Sequence, residues 1–452
     1  MYTPENVVLG SLTLYFDFKN NPGKGGYLQM AQPIEGTVTG LTKEQPRTKD
    51  SVMATSLIGA HGLEHMYGHS FPVLVTALYA DLGLDPIQVG LLSAVRQLSS
   101  GVTSMASGFF VDMFQHRQAQ VLAISMALIG IGYFLVAISP TYSLILAALL
   151  IASAGSALWH PPALGLLSQR FPERRGLFIS LHRSTGNIGD MVGPLIAGGL
   201  LAWLSFTGSW RWIMGGGTPM LLLLALIILV VLWNVAGTRA DPVNFASKLK
   251  IQLVSLRGAF QGPGMWAIFT VSAVRGMADR SVIFFLPFYL REELGMGFVL
   301  IAAHVTLLAA PGIVSGPLFG MLSDRIGRRS IITFVMAVTV VLPVFLVLSG
   351  DNIILTLTVV AVFGLFHSVV NSLTQAAAID HVAGRGLDAT FIGLMWGSNA
   401  FFGAGAALIA GLLVNQYGWV TAFYFASALF FVGFLVSLVM PRPSLPRLQF
   451  AT

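Results

Sequence analysis

From residue 51 onward the chain alternates long apolar runs with short polar breaks. Crossing a ~30 Å hydrocarbon core takes about 20 helical residues at 1.5 Å each. Twelve runs qualify: 51–80, 86–113, 118–138, 142–169, 176–204, 212–236, 264–293, 297–322, 329–349, 352–380, 388–415 and 419–440. Turn residues part them, as at Asp85-Pro86, Ser139-Pro140, Gly350-Asp351 and Tyr417-Gly418. The pattern predicts an all-α polytopic membrane protein with twelve transmembrane helices in two pseudo-symmetric six-helix bundles. It divides the chain into an N-terminal tail (1–50), a first bundle (51–236), a connection (237–263), a second bundle (264–441) and a C-terminal tail (442–452).

Composition agrees. The chain is 55% hydrophobic and 10% charged, with mean hydropathy +0.77, against about 25% charged in soluble proteins. The basic residues are unevenly placed. Arg211 and Arg291 fall in or at the edge of one set of loops, and Arg96, Arg183, Arg275 and Arg280 deep within spans; the rest lie in the tails and in or at the edge of the alternate loops, including the 237–263 connection. This positive-inside asymmetry predicts a multi-pass protein of the inner (plasma) membrane with both termini cytoplasmic. A nucleic-acid partner is not expected, because such proteins cluster their basic charge on one soluble face. The chain has no cysteine, hence no disulfide or thiolate metal site. The apolar patch Val7–Phe16 is too short to span and lacks a basic stretch before it, so no cleaved signal is expected. The tail is expected to be mobile.

A short polar knot stands between the eighth and ninth runs: Gly320-Met-Leu-Ser-Asp324-Arg325-Ile-Gly327-Arg328-Arg329. A weaker copy, Gly108-Phe-Phe-Val-Asp112-Met-Phe-Gln-His116-Arg117, lies between the second and third, with Met113 and Gln115 replacing the first arginine and second glycine. The fourth and tenth runs also correspond, with Trp159-His160-Pro161 and Phe366-His367-Ser368. The loop resembles the signature of the major facilitator superfamily, G-x-L-x-D-R-x-G-R-R. The resemblance implies transport by alternating access, with Gly108, Asp112, Arg117, Gly320, Asp324, Arg325, Gly327, Arg328 and Arg329 in a cytoplasmic latch.

In the fifth run, Gly189, Gly193, Pro194 and Gly198 are similar to the antiporter signature of drug–proton exchangers in that superfamily, with one extra residue before Gly198-Gly199. Small residues also let helices pack closely, a structural role that suits them equally. With His160-Pro161, this helix resembles the fosmidomycin-resistance group of efflux proteins, mainly over residues 55–200. Members of that group carry an acid where this chain has His65, and Glu64 stands beside it.

Charges inside a span are costly, about 2.5–3.5 kcal/mol each, and mark functional sites. His61, Glu64, His65, Gly68 and His69 share one face of the first run. Arg275 and Asp279 stand one turn apart in the seventh, within ion-pair reach. Glu64 is the expected proton carrier, tuned by His61 and His65, with Asp190 a second candidate. Arg275, Asp279, Arg96, His160, His367 and Asn399 are expected at the substrate. Each also has a structural reading: an ion pair, a gate residue, or a helix-to-helix hydrogen bond. Four deep arginines against three acids (Glu64, Asp190, Asp279) favour an anionic or zwitterionic solute.

His61-Gly-Leu-Glu64-His65 also reads as H-x-x-E-H, the inverted zinc-peptidase pattern. It lacks a downstream carboxylate ligand, for no Glu follows until Glu173. His61, His65 and His69 form an alternative metal set, and no metal is assigned. No nucleotide loop or cofactor motif is present, so no cofactor is expected. The expectation is therefore a monomeric, non-enzymatic, proton-coupled secondary transporter exporting a small organic anion through the lipid bilayer. Proton symport importing an anion is the alternative, and a membrane metallopeptidase a remote one.

Overall fold

A computed structural model describes residues 7–9, 12–14, 48–113, 117–233, 260–381 and 388–441, with isolated positions between 250 and 258. The chain forms two units, 1–45 and 46–452. In the first, β1 (Val7–Leu9) and β2 (Leu12–Leu14) pair antiparallel, Val7 opposite Leu14. The apolar patch there is thus two short strands, which its β-branched residues favour. The remainder of the 1–50 tail before Thr48, most of the 237–263 connection and the 442–452 tail lie outside the described residues.

The second unit is helical: α1 (Thr48–Leu82), α2 (Pro86–Met113), α3 (Gln118–Ile138), α4 (Tyr142–Arg170), α5 (Arg175–Leu204), α6 (Ser209–Gly216) and α7 (Thr218–Leu232). After the connection come α8 (Pro263–Glu292), α9 (Phe298–Ala309), α10 (Gly312–Ile326), α11 (Arg328–Leu348), α12 (Ile353–His381), α13 (Asp388–Tyr417) and α14 (Thr421–Ser437). The sixth and eighth predicted spans are each split in two. At the first break Gly217 lies under the Tyr67 hydroxyl, where a Cβ would stand 0.8 Å away, and Pro219 follows without an N–H. Pro311 marks the second. Counting each split pair once gives twelve spans among the described residues. Eight are long and apolar enough to cross a membrane. Of the others, α1, α2 and α8 are long but carry the ionisable residues, and α14 is short.

In the N-terminal lobe α1 packs on α5, and α3 on α4 and α7; in the C-terminal lobe α14 packs on α8 and α11, and α13 on α8. The lobes meet along α2–α13 and α5–α9, contacts that exchange under a shift of six spans. Small residues permit both approaches. A Cβ at Gly90 would stand 2.5 Å from the Ala407 carbonyl oxygen, and one at Gly198 2.6 Å from that of Phe298.

Candidate functional site

Close contact between α1 and α5 builds the site. A Cβ at Gly189 would stand 2.2 Å from the Gly62 carbonyl oxygen, and one at Gly193 2.3 Å from that of Met66. Gly186 makes room for the His61 ring, whose Cε1 would meet a Cβ there at 2.5 Å. The helices come near enough for His65 Nδ1 to donate to Asp190 Oδ1 at 2.6 Å, and for His61 Nδ1 to donate to the His182 carbonyl at 2.6 Å. His69 Nε2 lies 3.0 Å from the same Asp190 oxygen. The His182 ring stacks on His61 with centroids 3.6 Å apart.

α4 closes the group from the other side. The Ser156 hydroxyl donates to Glu64 Oε1. His160 Nε2 lies 3.3 Å from His61 Nε2 and 3.4 Å from His65 Nε2. Glu64 Oε2 faces His65 Nε2 at 3.5 Å without a hydrogen bond.

Glu64, His65, His69 and His160 line a cavity of about 240 Å³ that reaches into both lobes. α2 contributes Ser93, Arg96, Gln97 and Ser100, and α4 Ser153 and Ser156. From the C-terminal lobe come Arg280, Ile283, Phe284 and Ala400. Arg96 is held by the Gly68 carbonyl (3.3 Å) and by the Phe71 ring 4.1 Å from its guanidinium. Toward the ends of α1 and α8 the lobes touch through aromatic pairs: Phe71–Phe284, Tyr79–Phe288 and Tyr79–Trp419.

The other expected site residues lie elsewhere. Arg275 and Asp279 form an ion pair, both buried, and neither lines the cavity. His367 Nδ1 stands 3.2 Å from Asp279, and its carbonyl accepts from Arg275 Nη2 at 2.6 Å. Asn399 bonds Ser272 and Asn371 within the C-terminal lobe. The two lobes thus repeat one motif: a histidine of α4 or α12 meets charged residues of α1 or α8. His61 and Asp190 stand just behind the cavity wall and reach it through His65. The sequence alone did not single out His182, Ser93, Ser100, Ser153 or Ser156, or the cavity placement of Arg280. The signal lay in periodicity: Ser93, Arg96, Gln97 and Ser100 on α2, and Ser153, Ser156 and His160 on α4, recur at helical spacing along one face.

The loop motif sits between α10 and α11. Gly327 adopts φ +93°, a conformation costly for any residue with a Cβ. Arg328 pairs with Asp324 at 3.1 Å and with Asp380 of α12, while Arg329 donates to the Met440 and Leu438 carbonyls. Arg325 is exposed, as is Arg117 at the start of α3. Gly108 and Asp112 fall in α2, with their side chains outside the described residues. Of the α5 stripe, Gly189 and Gly193 face α1, Gly198 faces α9, and Pro194 is buried.

A polar cavity walled by helices of both lobes, in a chain that crosses the membrane repeatedly, defines a multi-pass membrane transporter. The model of the Major Facilitator Superfamily matches residues 65–404, and the chain belongs to that superfamily. Members bind small-molecule substrates within the membrane, and the peptidase reading of His61–His65 falls away. The chain is 23% identical to the fosmidomycin resistance protein of Escherichia coli (strain K12), over 67% of this chain and 72% of that one. It is also 23% identical to the oxalate:formate antiporter of Oxalobacter formigenes, over 84% and 88%. Among solved structures it resembles an inward-facing, unoccupied bacterial homolog of the human lysosomal transporter Spinster. That match has TM-score 0.71 and 14% identity over 87% of this chain and 96% of the other. A nucleoside transporter matches with TM-score 0.66 and 15% identity, over 85% and 98%.

Proposed function

We propose that the protein is a proton-coupled secondary transporter that exports a small organic anion. The observation that carries this reading is the pair of guanidinium groups, Arg96 and Arg280, one from each lobe, in the wall of one cavity. Among the described residues neither forms an ion pair with a carboxylate of the chain, so both are available to a ligand. Guanidinium groups bind carboxylate and phosphate-like groups through paired hydrogen bonds. Relatives named as an oxalate:formate antiporter, a nitrate/nitrite antiporter and a hexose phosphate transport protein support an anionic substrate. Relatives named for fosmidomycin and multidrug resistance support export.

Proton exchange belongs, on this reading, to Glu64 and Asp190, joined through His65 beside the cavity and tuned by His61. The cluster of the buried Arg275 and Asp279 with His367 is structural, and Asn399 supports it from α13. The basic end bearing Arg170, Arg325 and Arg328 faces the cytoplasm. There Asp324, Arg328 and Arg329 hold the α10–α11 turn to the ends of α12 and α14. Residues 51–236 and 264–441 act as the rocking halves.

The test is flux in proteoliposomes, with chelator present, across a panel of mono- and dicarboxylates and phosphonates. Movement of an anion against an imposed proton gradient, reduced in Arg96→Gln and Arg280→Gln, is expected. Movement with the protons would make the protein a symporter, and flux indifferent to the gradient would remove coupling.

A further inference from the structure

The histidine cluster is more than a proton relay needs. We infer that His61, His65, His160 and Glu64 form a binding site for a divalent transition-metal cation of the zinc class, set in the cavity wall.

The first argument is the count of protons. His61 spends its Nδ1 hydrogen on the His182 carbonyl, and His65 spends its own on Asp190. In neutral rings this turns the Nε2 lone pairs of His61 and His65 toward His160 Nε2, at 3.3 and 3.4 Å. One proton on this set serves one pair of nitrogens and leaves the rest facing each other. Glu64 Oε2 is aimed at the same point from a side chain 4% exposed, and it has no hydrogen-bond partner. A cation satisfies all of them together.

The second argument is size. Zinc binds imidazole nitrogen and carboxylate oxygen at about 2.0–2.2 Å in a tetrahedron, so neighbouring ligand atoms stand about 3.3–3.5 Å apart. The three measured edges, His61–His160, His65–His160 and His65–Glu64, are 3.3, 3.4 and 3.5 Å. All four residues offer a ligand atom within 4.8 Å of the others.

The third is the surrounding shell. Metal-binding histidines characteristically donate their second ring N–H to a carboxylate or a backbone carbonyl, which fixes the tautomer and ring direction. The His182 carbonyl and Asp190 supply such partners to His61 and His65. Glu64, His65 and His160 line the cavity, which gives an ion its entry path, and His61 closes the site from behind. The donors, imidazole with one carboxylate, suit zinc and its first-row neighbours rather than calcium or magnesium. All four come from α1 and α4, within one lobe, so the inference does not depend on the direction or coupling of transport. The H-x-x-E-H pattern on α1 therefore finds its third ligand in a histidine 95 positions after His65, not in a downstream acid.

The test uses full-length protein purified in detergent, stripped with chelator and titrated with Co2+ alone. The expected result is one equivalent bound, with the intense visible bands of four-coordinate cobalt, displaced by Zn2+. His160→Ala and Glu64→Gln should each weaken binding by at least about tenfold. X-ray absorption at the zinc edge of the wild-type protein, independent of how any variant folds, should count three imidazoles. No cobalt bands, or fewer than two imidazoles, overturns the site. Bands that survive His160→Ala and vanish in His69→Ala overturn it too, placing the ion on the neighbouring group of His65, His69 and Asp190. Because this binding is read without any gradient, its failure is separate from a failure of proton coupling, which is read as flux in chelator.

Discussion

Asp190 and His65 are joined across the α1–α5 contact by a 2.6 Å hydrogen bond, and the same carboxylate oxygen lies 3.0 Å from His69. One half-buried acid thus sets the ring direction of a histidine that faces the cavity. Asp190→Ala removes that restraint and should lower Co2+ affinity about 10–100-fold, as loss of an outer-shell partner does. Asp190→Asn keeps an acceptor and should lose less. Equal affinity for wild type and Asp190→Ala, in the same cobalt titration, would count against the positioning role.

The α1–α5 contact leaves no room for a side chain on its glycine stripe. Gly193→Val would press on the Met66 carbonyl and should cost about 1–3 kcal/mol, as overpacking does. Gly199, with nothing within 4 Å of a Cβ, should accept alanine without loss. Thermal unfolding in detergent separates the two; similar midpoints would contradict the packing account.

Arg96 and Arg280 stand apart in sequence and share one cavity. A hydrogen bond to a charged partner contributes about 1.5–3 kcal/mol, so Arg96→Gln or Arg280→Gln should weaken anion binding about tenfold to a hundredfold. Counterflow at varied substrate concentration measures this. Unchanged affinity in both variants would place the anion elsewhere.

Arg275 and Asp279 make the opposite case. Both are buried, Arg275 Nε and Asp279 Oδ1 have no hydrogen-bond partner, and neither side chain reaches the cavity. Arg275→Leu strands a carboxylate and should cost about 3–5 kcal/mol, whereas the double change Arg275→Leu with Asp279→Leu should cost much less. Substrate affinity of the folded double variant should match wild type. A selective loss of affinity would return the pair to the binding site.

At the α10–α11 turn, Arg328 bridges Asp324 and Asp380. The acids are well exposed, so Arg328→Gln should cost only about 0.2–1 kcal/mol of stability. Its larger effect should fall on the balance between inward- and outward-facing forms, read by distance labels across the turn. Asp324→Asn should shift that balance less, because the Asp380 contact survives. Identical label distances in all three proteins would argue against a latch.

The spans were legible because hydropathy is local, and the helix bounds fall near those predicted from apolar runs. The breaks at Gly217 and Pro311 were not legible as breaks. Gly217 yields to Tyr67, 150 positions away, and proline is tolerated inside several other helices here. Neighbours on one helix face, such as His61, Glu64 and His65, could be read from spacing. Their meeting with His160 could not, since no periodicity encodes which face of α4 turns toward α1. The same limit governs α8. Spacing marks Arg275 and Asp279 as a pair, but the cavity receives Arg280, turned about 100° from Asp279 by one helical step. Which side of a helix looks into water is decided by its neighbours.

The residue after Asp190 ties α5 to the opposite lobe: the Met191 carbonyl accepts a hydrogen bond from Thr306 of α9 at 2.9 Å. A single peptide unit therefore separates this contact between the lobes from the acid that aims the His65 ring. If the halves part along that seam, the hydrogen bond that breaks lies one residue from Asp190.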